Sequence, residues 1–314
     1  MLNYFKDGKV AEWLKAHAWK ACVRATVPQV RILSFPPRQK WRKKVSENII
    51  IELKGLTKRY GYGDTESFAL NNFDLTIKRG EFIMIMGPSG CGKTTLLNII
   101  GLLDRATKGE YILNGENVAS ISARRQARLR AKKIGFIFQN FNLIEDLPVL
   151  ENVALPLIYT GYSKTARLKN ASNALKRFHL QEREYYLPYQ LSGGQQQRVA
   201  IARAIVSDPE IILADEPTGN LDSRSSRIVM DELKAIHEEG NTIIMVTHNP
   251  ALTVYATRVI NMLDGAIDTD VKTVSDQNLP QPISVKIKKK SDMKEPSESE
   301  ASDSHKSHKS RRKK

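Results

Sequence analysis

The feature that most constrains this chain is the octapeptide GPSGCGKT at residues 87–94, which fits the pattern G-x-x-x-x-G-K-[ST]. The apolar run EFIMIM at 81–86 precedes it and predicts a buried strand, and TLLNII at 95–100 follows it and predicts a helix. Glycines let backbone N–H groups curl around an anion at a helix N-terminus, where the helix dipole favours negative charge. This context indicates a phosphate-binding loop rather than a glycine-rich turn that happens to hold a lysine. The residues expected to bind phosphate are Gly87, Pro88, Ser89, Gly90, Cys91, Gly92, Lys93, Thr94 and Thr95.

The chemistry of this loop requires two particular side chains. We expect Lys93 to reach the β- and γ-phosphates of a nucleotide and the Thr94 hydroxyl to ligate Mg²⁺.

The second signal is a pair of acidic residues at the end of the apolar run IILADE, residues 211–216. Here Asp215 is positioned to hold Mg²⁺ through water, and Glu216 to orient the water that attacks the γ-phosphate. An isolated acidic strand end is more often a helix cap or a solvent-facing turn. The upstream phosphate-binding loop favours the catalytic interpretation here.

A third signal is LSGGQ at residues 191–195, which leads into the helical pattern QQRVAIAR. A serine followed by two glycines suits a helix N-terminus whose amides bind an anion. Ser192, Gly193, Gly194 and Gln195 therefore predict a second phosphate-binding surface on the same chain. The alternative is a plain Ser-Gly helix cap.

The phosphate-binding loop, LSGGQ and the Asp-Glu strand end, in this order along the chain, resemble the ATP-binding cassette (ABC) family, and the resemblance covers about residues 49–270. It implies an α/β fold, namely a P-loop NTPase (RecA-like) core with an N-terminal antiparallel β subdomain and an inserted α-helical subdomain at about 140–206. It also implies an ATPase with ATP and Mg²⁺ as cofactors. In this family a head-to-tail homodimer holds ATP between protomers.

The resemblance assigns roles to several single residues. Tyr60 matches the aromatic residue that stacks on adenine, with Tyr62 as a close alternative. Gln139 matches the glutamine that contacts Mg²⁺ and links the core to the helical lobe, and His248 matches the histidine that reaches the γ-phosphate. Asp222 fits either a loop at the dimer interface or a helix N-cap. The implied catalytic residues are Glu216, His248, Gln139 and Lys93, and the implied metal-site residues are Thr94, Gln139 and Asp215.

The pattern along the domain predicts alternating strands and helices, and hence a mainly parallel sheet. The predicted strands are 49–54, 68–77, 81–86, 110–113, 134–138, 210–214, 242–247 and 258–263. The predicted helices are 150–159, 164–179, 194–206 and 223–239.

Short phrases narrow the resemblance to one branch of the family. FNLI at 141–144, LENV at 150–153 and PTGNLD at 217–222 are similar to the macrolide-export and lipoprotein-release ATPases, with the cell-division ATPases as near relatives. This implies an integral membrane permease subunit as a separate chain, contacted by residues 140–153. The ATPase would then lie at the cytoplasmic face of the plasma membrane. The alternative is an ATPase that drives cell-wall hydrolases through a membrane partner without transport.

Charge and cysteine content limit the other function classes. The net charge is +15, to which residues 1–48 contribute +8 and residues 271–314 contribute +6, leaving +1 for residues 49–270. Because the central domain is almost neutral, we expect no nucleic-acid partner. The two cysteines, Cys22 and Cys91, favour a reducing compartment. No apolar stretch approaches the roughly 18–20 residues needed to span a bilayer.

The two ends of the chain do not fit the domain pattern. Residues 1–48 resemble a conceptual translation of a structural-RNA gene from a misplaced start, which would put the authentic start nearer Val45; the alternative is a basic interfacial helix. Residues 271–314 are rich in Lys, Ser and Glu, so we expect this tail to be disordered.

Overall fold

The computed structural model describes residues 48–61 and 66–273. The predictions for the basic leader (apart from Asn48), for Tyr62 and for the tail from residue 274 onwards lie outside the described residues.

An antiparallel sheet forms the N-terminal part of the domain. Its four strands are β1 (Ile49–Tyr60), β2 (Ser67–Lys78), β4 (Lys108–Leu113) and β5 (Glu116–Asn117), in the order β2-β1-β4-β5. The sheet confirms the antiparallel subdomain that the resemblance implied. Strand β1 is twice as long as the predicted run 49–54, because it continues through less apolar residues to pair with the start of β2.

A second, mainly parallel sheet forms the core. Its strands are β3 (Phe82–Met86), β6 (Ile134–Ile137), β7 (Ile211–Asp215), β8 (Thr242–Val246), β9 (Arg258–Leu263) and β10 (Ala266–Lys272), in the order β10-β9-β3-β8-β7-β6. All neighbours are parallel except β10, which is antiparallel to β9. The predicted P-loop NTPase fold is therefore confirmed. Since the strands are parallel, the residues that follow β3, β6, β7 and β8 meet at one edge, where such sheets bind ligands.

Six α-helices occur in the described residues. They are α1 (Lys93–Ile100), α2 (Ala123–Lys133), α3 (Val149–Ala154), α4 (Lys164–Arg177), α5 (Gly193–Ile205) and α6 (Ser223–Glu238). Short 3-10 segments lie at Leu155–Thr160, Gln181–Arg183, Pro188–Gln190 and Pro250–Tyr255. None of the described helices is long and apolar enough to cross a bilayer.

The predicted helix at 150–159 is wrong in its second half. Helix α3 ends at Ala154 and the chain continues as a 3-10 segment that contains Pro156 and ends before Gly161. Proline has no N–H to bond the carbonyl four residues earlier, and its ring disfavours a continuous α-helix. Helix α2 and the strands β5 and β10 were not predicted at all.

Two hydrophobic clusters lie on opposite faces of the parallel sheet. Along β3, Ile83 and Ile85 face the cluster shared with α1 and the antiparallel sheet. Phe82 and Met84 face the cluster shared with α3, α4, α5 and α6. Each fully buried side chain of this size stabilises the fold by roughly 1.5–3 kcal/mol. The sheet is thus packed on both faces, and the loops at its carboxyl edge extend from a rigid core.

Candidate active site

The loop between β3 and α1 is built by close backbone approaches. Gly87 has φ +147° and Gly92 has φ +98°, both in the region that favours glycine. A Cβ on Gly87 would lie 2.2 Å from the Met262 carbonyl oxygen, and one on Gly92 would lie 2.1 Å from that of Ala69. The loop therefore packs against β9 and β2 in a way that only glycine permits. Pro88, Ser89 and Gly90 are exposed at its tip.

Lys93, the first residue of α1, turns back onto this loop. Its side chain is buried, and its Nζ donates hydrogen bonds to the carbonyl oxygens of Gly87 (2.9 Å) and Pro88 (2.7 Å). The Sγ of buried Cys91 lies 3.8 Å from the same Nζ. The ammonium group is thus held by the loop that is expected to bind phosphate. Of the next two residues, Thr94 is exposed and Thr95 is half-buried.

Asp215, at the end of β7, lies next to the start of α1. Burial raises the pKa of its carboxyl above the ordinary value, and so does the charge of Glu216, whereas a hydrogen bond with Thr94 and the charge of Lys93 oppose the shift. The structure therefore brings Thr94, Lys93 and Asp215 together, as the sequence predicted. A hydroxyl and a carboxylate are oxygen donors of the type that Mg²⁺ prefers.

Glu216 follows β7 in a strained backbone conformation, with φ +45°. Its N–H donates to the Val246 carbonyl oxygen of β8 (3.0 Å), and its own carbonyl oxygen accepts from the Gly219 N–H (3.0 Å). Nδ1 of His248 lies 3.0 Å from Oε1 of Glu216. The two predicted catalytic residues are thus in direct contact.

Gln139 lies against the turn that carries Glu216. A Cβ added to Gly219 would come 2.8 Å from the Gln139 Nε2. The backbone oxygen of Gln139 accepts a hydrogen bond from the Asn220 side chain (3.2 Å), which also donates to Oδ1 of Asn140 (2.8 Å). The loop after β6 is therefore tied to the loop after β7. Asn220 belongs to the phrase PTGNLD, and nothing in the sequence predicted this contact.

The LSGGQ segment forms the start of α5. Ser192 is the N-cap, and its Oγ accepts from the Gln195 N–H (3.4 Å) while the Gln195 side chain accepts from the Ser192 N–H (3.0 Å). A Cβ on Gly194 would lie 2.7 Å from the Oγ of Ser225 in α6. The four predicted residues thus form a capping-box helix start in which Gly194 lies close to a neighbouring helix.

Asp222 caps the start of α6. Its Oδ1 accepts from the N–H groups of Arg224 and Ser225 (2.9 Å each), and its Oδ2 accepts from the Ser225 hydroxyl (2.6 Å). The Ser225 hydrogen bonds hold the pKa of this carboxyl below its usual value. The helix N-cap interpretation of Asp222 is confirmed.

Tyr60, at the end of β1, is half exposed and held at both its hydroxyl and its ring. The hydroxyl donates to Oδ2 of Asp104 (3.0 Å), and Nζ of Lys58 lies 4.9 Å from the ring centroid. Lys58 also pairs with Oδ1 of Asp104 (2.8 Å). Asp104 follows α1, and no local signal in the sequence pointed to it.

A cavity of about 530 Å³ lies beside Glu216 and His248. Its walls come from the turn after β7, the first two turns of α6 and the segment after β8, and they include Thr218, Leu221, Ser226, Asn249 and Tyr255.

Comparison with known proteins shows the family to which this chain belongs. A family model described as ABC transporter matches residues 70–219. An uncharacterized ABC transporter ATP-binding protein of Methanocaldococcus jannaschii is 53% identical over 218 residues, which cover 69% of this chain and 97% of that protein. The chain belongs to the ABC transporter family, as an ATP-binding protein. This ABC ATPase therefore has the ATP-binding and ATP-hydrolysing cassette that its motifs indicated.

Other relatives of this ABC ATPase carry more specific names. The macrolide export ATP-binding/permease protein MacB of Hyphomonas neptunium is 48% identical over 221 residues, which cover 70% of this chain but 34% of that protein. The ABC ATPase thus spans about a third of the length of the macrolide-export relatives. A solved dimeric cassette in a post-hydrolysis state with ADP and Pi shares 45% identity, with a TM-score of 0.67 over 71% of this chain and 98% of that one.

Proposed function

We propose that this ABC ATPase works as a homodimer that binds two Mg·ATP between its protomers and drives a separate membrane permease. The observation that carries the proposal is the contact between Glu216 and His248 at the same sheet edge as the phosphate-binding loop. Support for the dimer comes from the solved cassette, which is dimeric in its ADP and Pi state. The LSGGQ helix start would then meet the nucleotide held by the other protomer's loop.

The nucleotide would be held by residues of three elements. The backbone N–H groups of residues 89–92 and the Lys93 ammonium would bind the phosphates, because the loop combines N–H donors with a helix N-terminus. Tyr60 would stack on the adenine ring, since its ring is exposed and fixed. Ser192, Gly193, Gly194 and Gln195 would complete the phosphate contacts from the partner protomer.

Magnesium fits the oxygen donors at this edge of the sheet. Thr94, Asp215 and Gln139 offer a hydroxyl, a carboxylate and an amide oxygen, and the first two share a hydrogen bond. A bound Mg²⁺ would neutralise charge on the β- and γ-phosphates.

Hydrolysis requires one water to be aligned with the γ-phosphate. The Glu216 carboxylate would accept a hydrogen bond from this water and then its proton, with His248 orienting the carboxylate and reaching the γ-phosphate. Lys93 would stabilise the charge that develops on the transferred group. Gln139 would link the turn that carries Glu216 to the helical insert at about 140–206, because it precedes that insert and contacts Gly219 and Asn220.

The permease would dock on the helical side of the domain. Of the proposed docking segment 140–153, Asn142 lines a groove of about 370 Å³ whose walls also include Phe136, Phe138, Pro156 and Tyr159. Two lining residues, Tyr159 (70% exposed) and Leu103 (47% exposed), offer apolar surface to a partner. Docking of a permease here would hold the ATPase at the cytoplasmic face of the membrane. Names of relatives that combine ATP-binding and permease parts favour export as the coupled process.

The test is the variant Glu216→Gln in the full chain. We expect it to bind Mg·ATP with wild-type affinity, to lose at least about a hundredfold in hydrolysis rate, and to accumulate as an ATP-bound dimer. Light scattering during size-exclusion chromatography measures the dimer, and phosphate release measures the rate. A monomer at saturating Mg·ATP, or hydrolysis at the wild-type rate, would refute the proposal. A further test of the permease claim is co-purification of a membrane protein that Tyr159→Asp abolishes.

A further inference from the structure

A buried glutamine on α5 makes a contact that none of the roles above uses. Gln197 is fully buried, and its Nε2 donates a 2.8 Å hydrogen bond to the carbonyl oxygen of Pro217, the residue after Glu216. Its Oε1 is also buried and has no hydrogen-bond partner among the described residues. An unpartnered buried amide oxygen destabilises the fold, so stability alone does not favour glutamine at this position. What the glutamine does provide is an amide donor for the Pro217 carbonyl.

The target of this donor is the turn that carries Glu216. That turn is attached to β8 through the Glu216 N–H and is closed by the Gly219 N–H, and Gln197 attaches it to α5. Glu216 has φ +45°, and a non-glycine residue keeps such a conformation only where its surroundings fix it. The Gln197 bond is one of the contacts that fix it.

Helix α5 is also the helix whose first residues form the LSGGQ capping box. Under the proposed function, that end of α5 meets the nucleotide bound by the partner protomer, while Glu216 acts on the nucleotide at its own phosphate-binding loop. Gln197 lies in the second turn of α5 and touches the residue after Glu216. Gln197 therefore connects α5, which would contact one nucleotide, with the turn that carries Glu216, which would act on the other.

We infer that Gln197 is a positioning residue for hydrolysis, which aligns Glu216 with the attacking water by holding Pro217 against α5. This inference rests on the proposed function. When α5 is in place, the Nε2 hydrogen bond fixes the turn. When α5 shifts, the turn is released and Glu216 loses its alignment.

The test is Gln197→Met in the full chain, which keeps a similar volume but removes both the donor and the unpartnered oxygen. We expect the KM for ATP to be unchanged and kcat to fall about tenfold to a hundredfold, because a small displacement of a reacting group has effects of that size. The unfolding midpoint should fall only modestly, because removal of the unpartnered oxygen partly offsets the loss of the donor to the buried Pro217 carbonyl.

The matched control is Asn241→Leu. Asn241 is also buried and donates a 2.7 Å hydrogen bond to a proline carbonyl, that of Pro209, but this contact lies at the opposite end of β7 from Glu216. We expect Asn241→Leu to lower the unfolding midpoint and leave kcat at the wild-type value. A role in core stability alone would lower stability in both variants without a specific fall in kcat.

Each outcome decides the inference. Wild-type kcat in Gln197→Met overturns it. Loss of folding in both Gln197→Met and Gln197→Leu also overturns it, since the side chain is then a core residue only. Glu216→Gln, measured in parallel, separates the two proposals. If that variant traps an ATP-bound dimer while Gln197→Met turns over normally, only the role of Gln197 fails.

Discussion

His248 contacts Glu216 through a 3.0 Å approach of Nδ1 to Oε1, although the two residues follow different strands. Because β7 and β8 are parallel neighbours, the segments after them leave the sheet at the same edge. The Glu216 side chain is 22% exposed and that of His248 is 71% exposed, so the histidine lies on the solvent side of the carboxylate. The site therefore presents the pair to a nucleotide that approaches from solution.

Removal of this histidine should affect turnover more than binding. We expect His248→Ala to lower kcat by about a hundredfold, because the carboxylate loses the group that orients it, and to leave ATP affinity close to wild type. Phosphate release and binding of a fluorescent ATP analogue measure the two effects. The control is His179→Asn at an exposed position with φ +56°, which asparagine tolerates. Equal kcat values for the two variants would contradict the role of His248.

Lys93 should determine whether ATP stabilises the protein. A ligand at a hundred times its Kd stabilises the native state by about 2.7 kcal/mol. We expect ATP to raise the unfolding temperature of the wild type and to leave that of Lys93→Met unchanged, since the variant has lost the cation that faces the phosphates. Differential scanning fluorimetry with and without Mg·ATP is the measurement. An equal ATP-induced shift in both proteins would argue against Lys93 as a phosphate ligand.

Two glycines of the phosphate-binding loop should differ in their tolerance of alanine. A Cβ on Gly92 meets the Ala69 carbonyl oxygen at 2.1 Å, whereas one on Gly90 has nothing within 4 Å, although both have positive φ. Gly90→Ala should cost only the backbone strain of about 1 kcal/mol. Gly92→Ala should cost several kcal/mol, because β2 must move. Urea unfolding compares the variants, and equal losses would mean that the packing of the loop against β2 is not tight.

Most of the fold could be predicted from periodicity, and the exceptions have local causes. Helix α2 was missed because the sequence ARRQARLRAKK has almost no apolar stripe; it forms through helix propensity, the Ser122 N-cap and basic residues in its last turn. The predicted helix at 150–159 missed the effect of Pro156. Strand β10, which runs to Lys272, is mostly exposed and polar, so it lacks the alternation that marks a strand.

The motifs predicted which residues come together at the sheet edge, but the individual hydrogen bonds that hold them could not be predicted. The loop, Asp215, Glu216 and His248 meet because parallel strands share one edge, which follows from the pattern. The bonds of Gln197 to Pro217 and of Tyr60 to Asp104 depend on how separate elements pack. A single sequence holds no periodic signal for contacts between residues this far apart in the chain.

Tyr60 and Asp104 give a test of the adenine contact. We expect Tyr60→Ala to weaken ATP binding by about tenfold or more, since stacking of one base on an aromatic side chain is worth about 1–3 kcal/mol. Asp104→Ala should weaken it by a smaller factor, because the ring remains but its hydroxyl is released. Isothermal titration of ATP measures both. Tyr62→Ala serves as the matched comparison, and a larger loss there than in Tyr60→Ala would transfer the stacking role to Tyr62.

Glu210 should make stability depend on pH in the acid range. Its carboxylate pairs with Arg79 (2.6 Å) and Lys133 and accepts from the Asn114 side chain (3.2 Å), which joins the start of β7 to the turn after β2 and to the end of α2. Burial alone would raise its pKa, but the hydrogen bonds and charges of Lys133 and Arg79 outweigh burial and hold the pKa below the ordinary value of 4.5.

The sign of the effect follows from this lowered pKa. As the pH falls, Glu210 is protonated in the unfolded chain at a higher pH than in the native state. The stabilisation that its ion pairs contribute is therefore complete above pH 4.5 and is lost as the pH falls through the native pKa. We expect urea midpoints measured between about pH 3 and pH 6 to fall less steeply in Glu210→Gln than in the wild type. Glu110→Gln, at an exposed position of β4, should keep the wild-type slope. If Glu210→Gln also keeps it, the ion pairs of Glu210 contribute nothing to folding, because a group that is protonated equally in both states cannot make stability depend on pH.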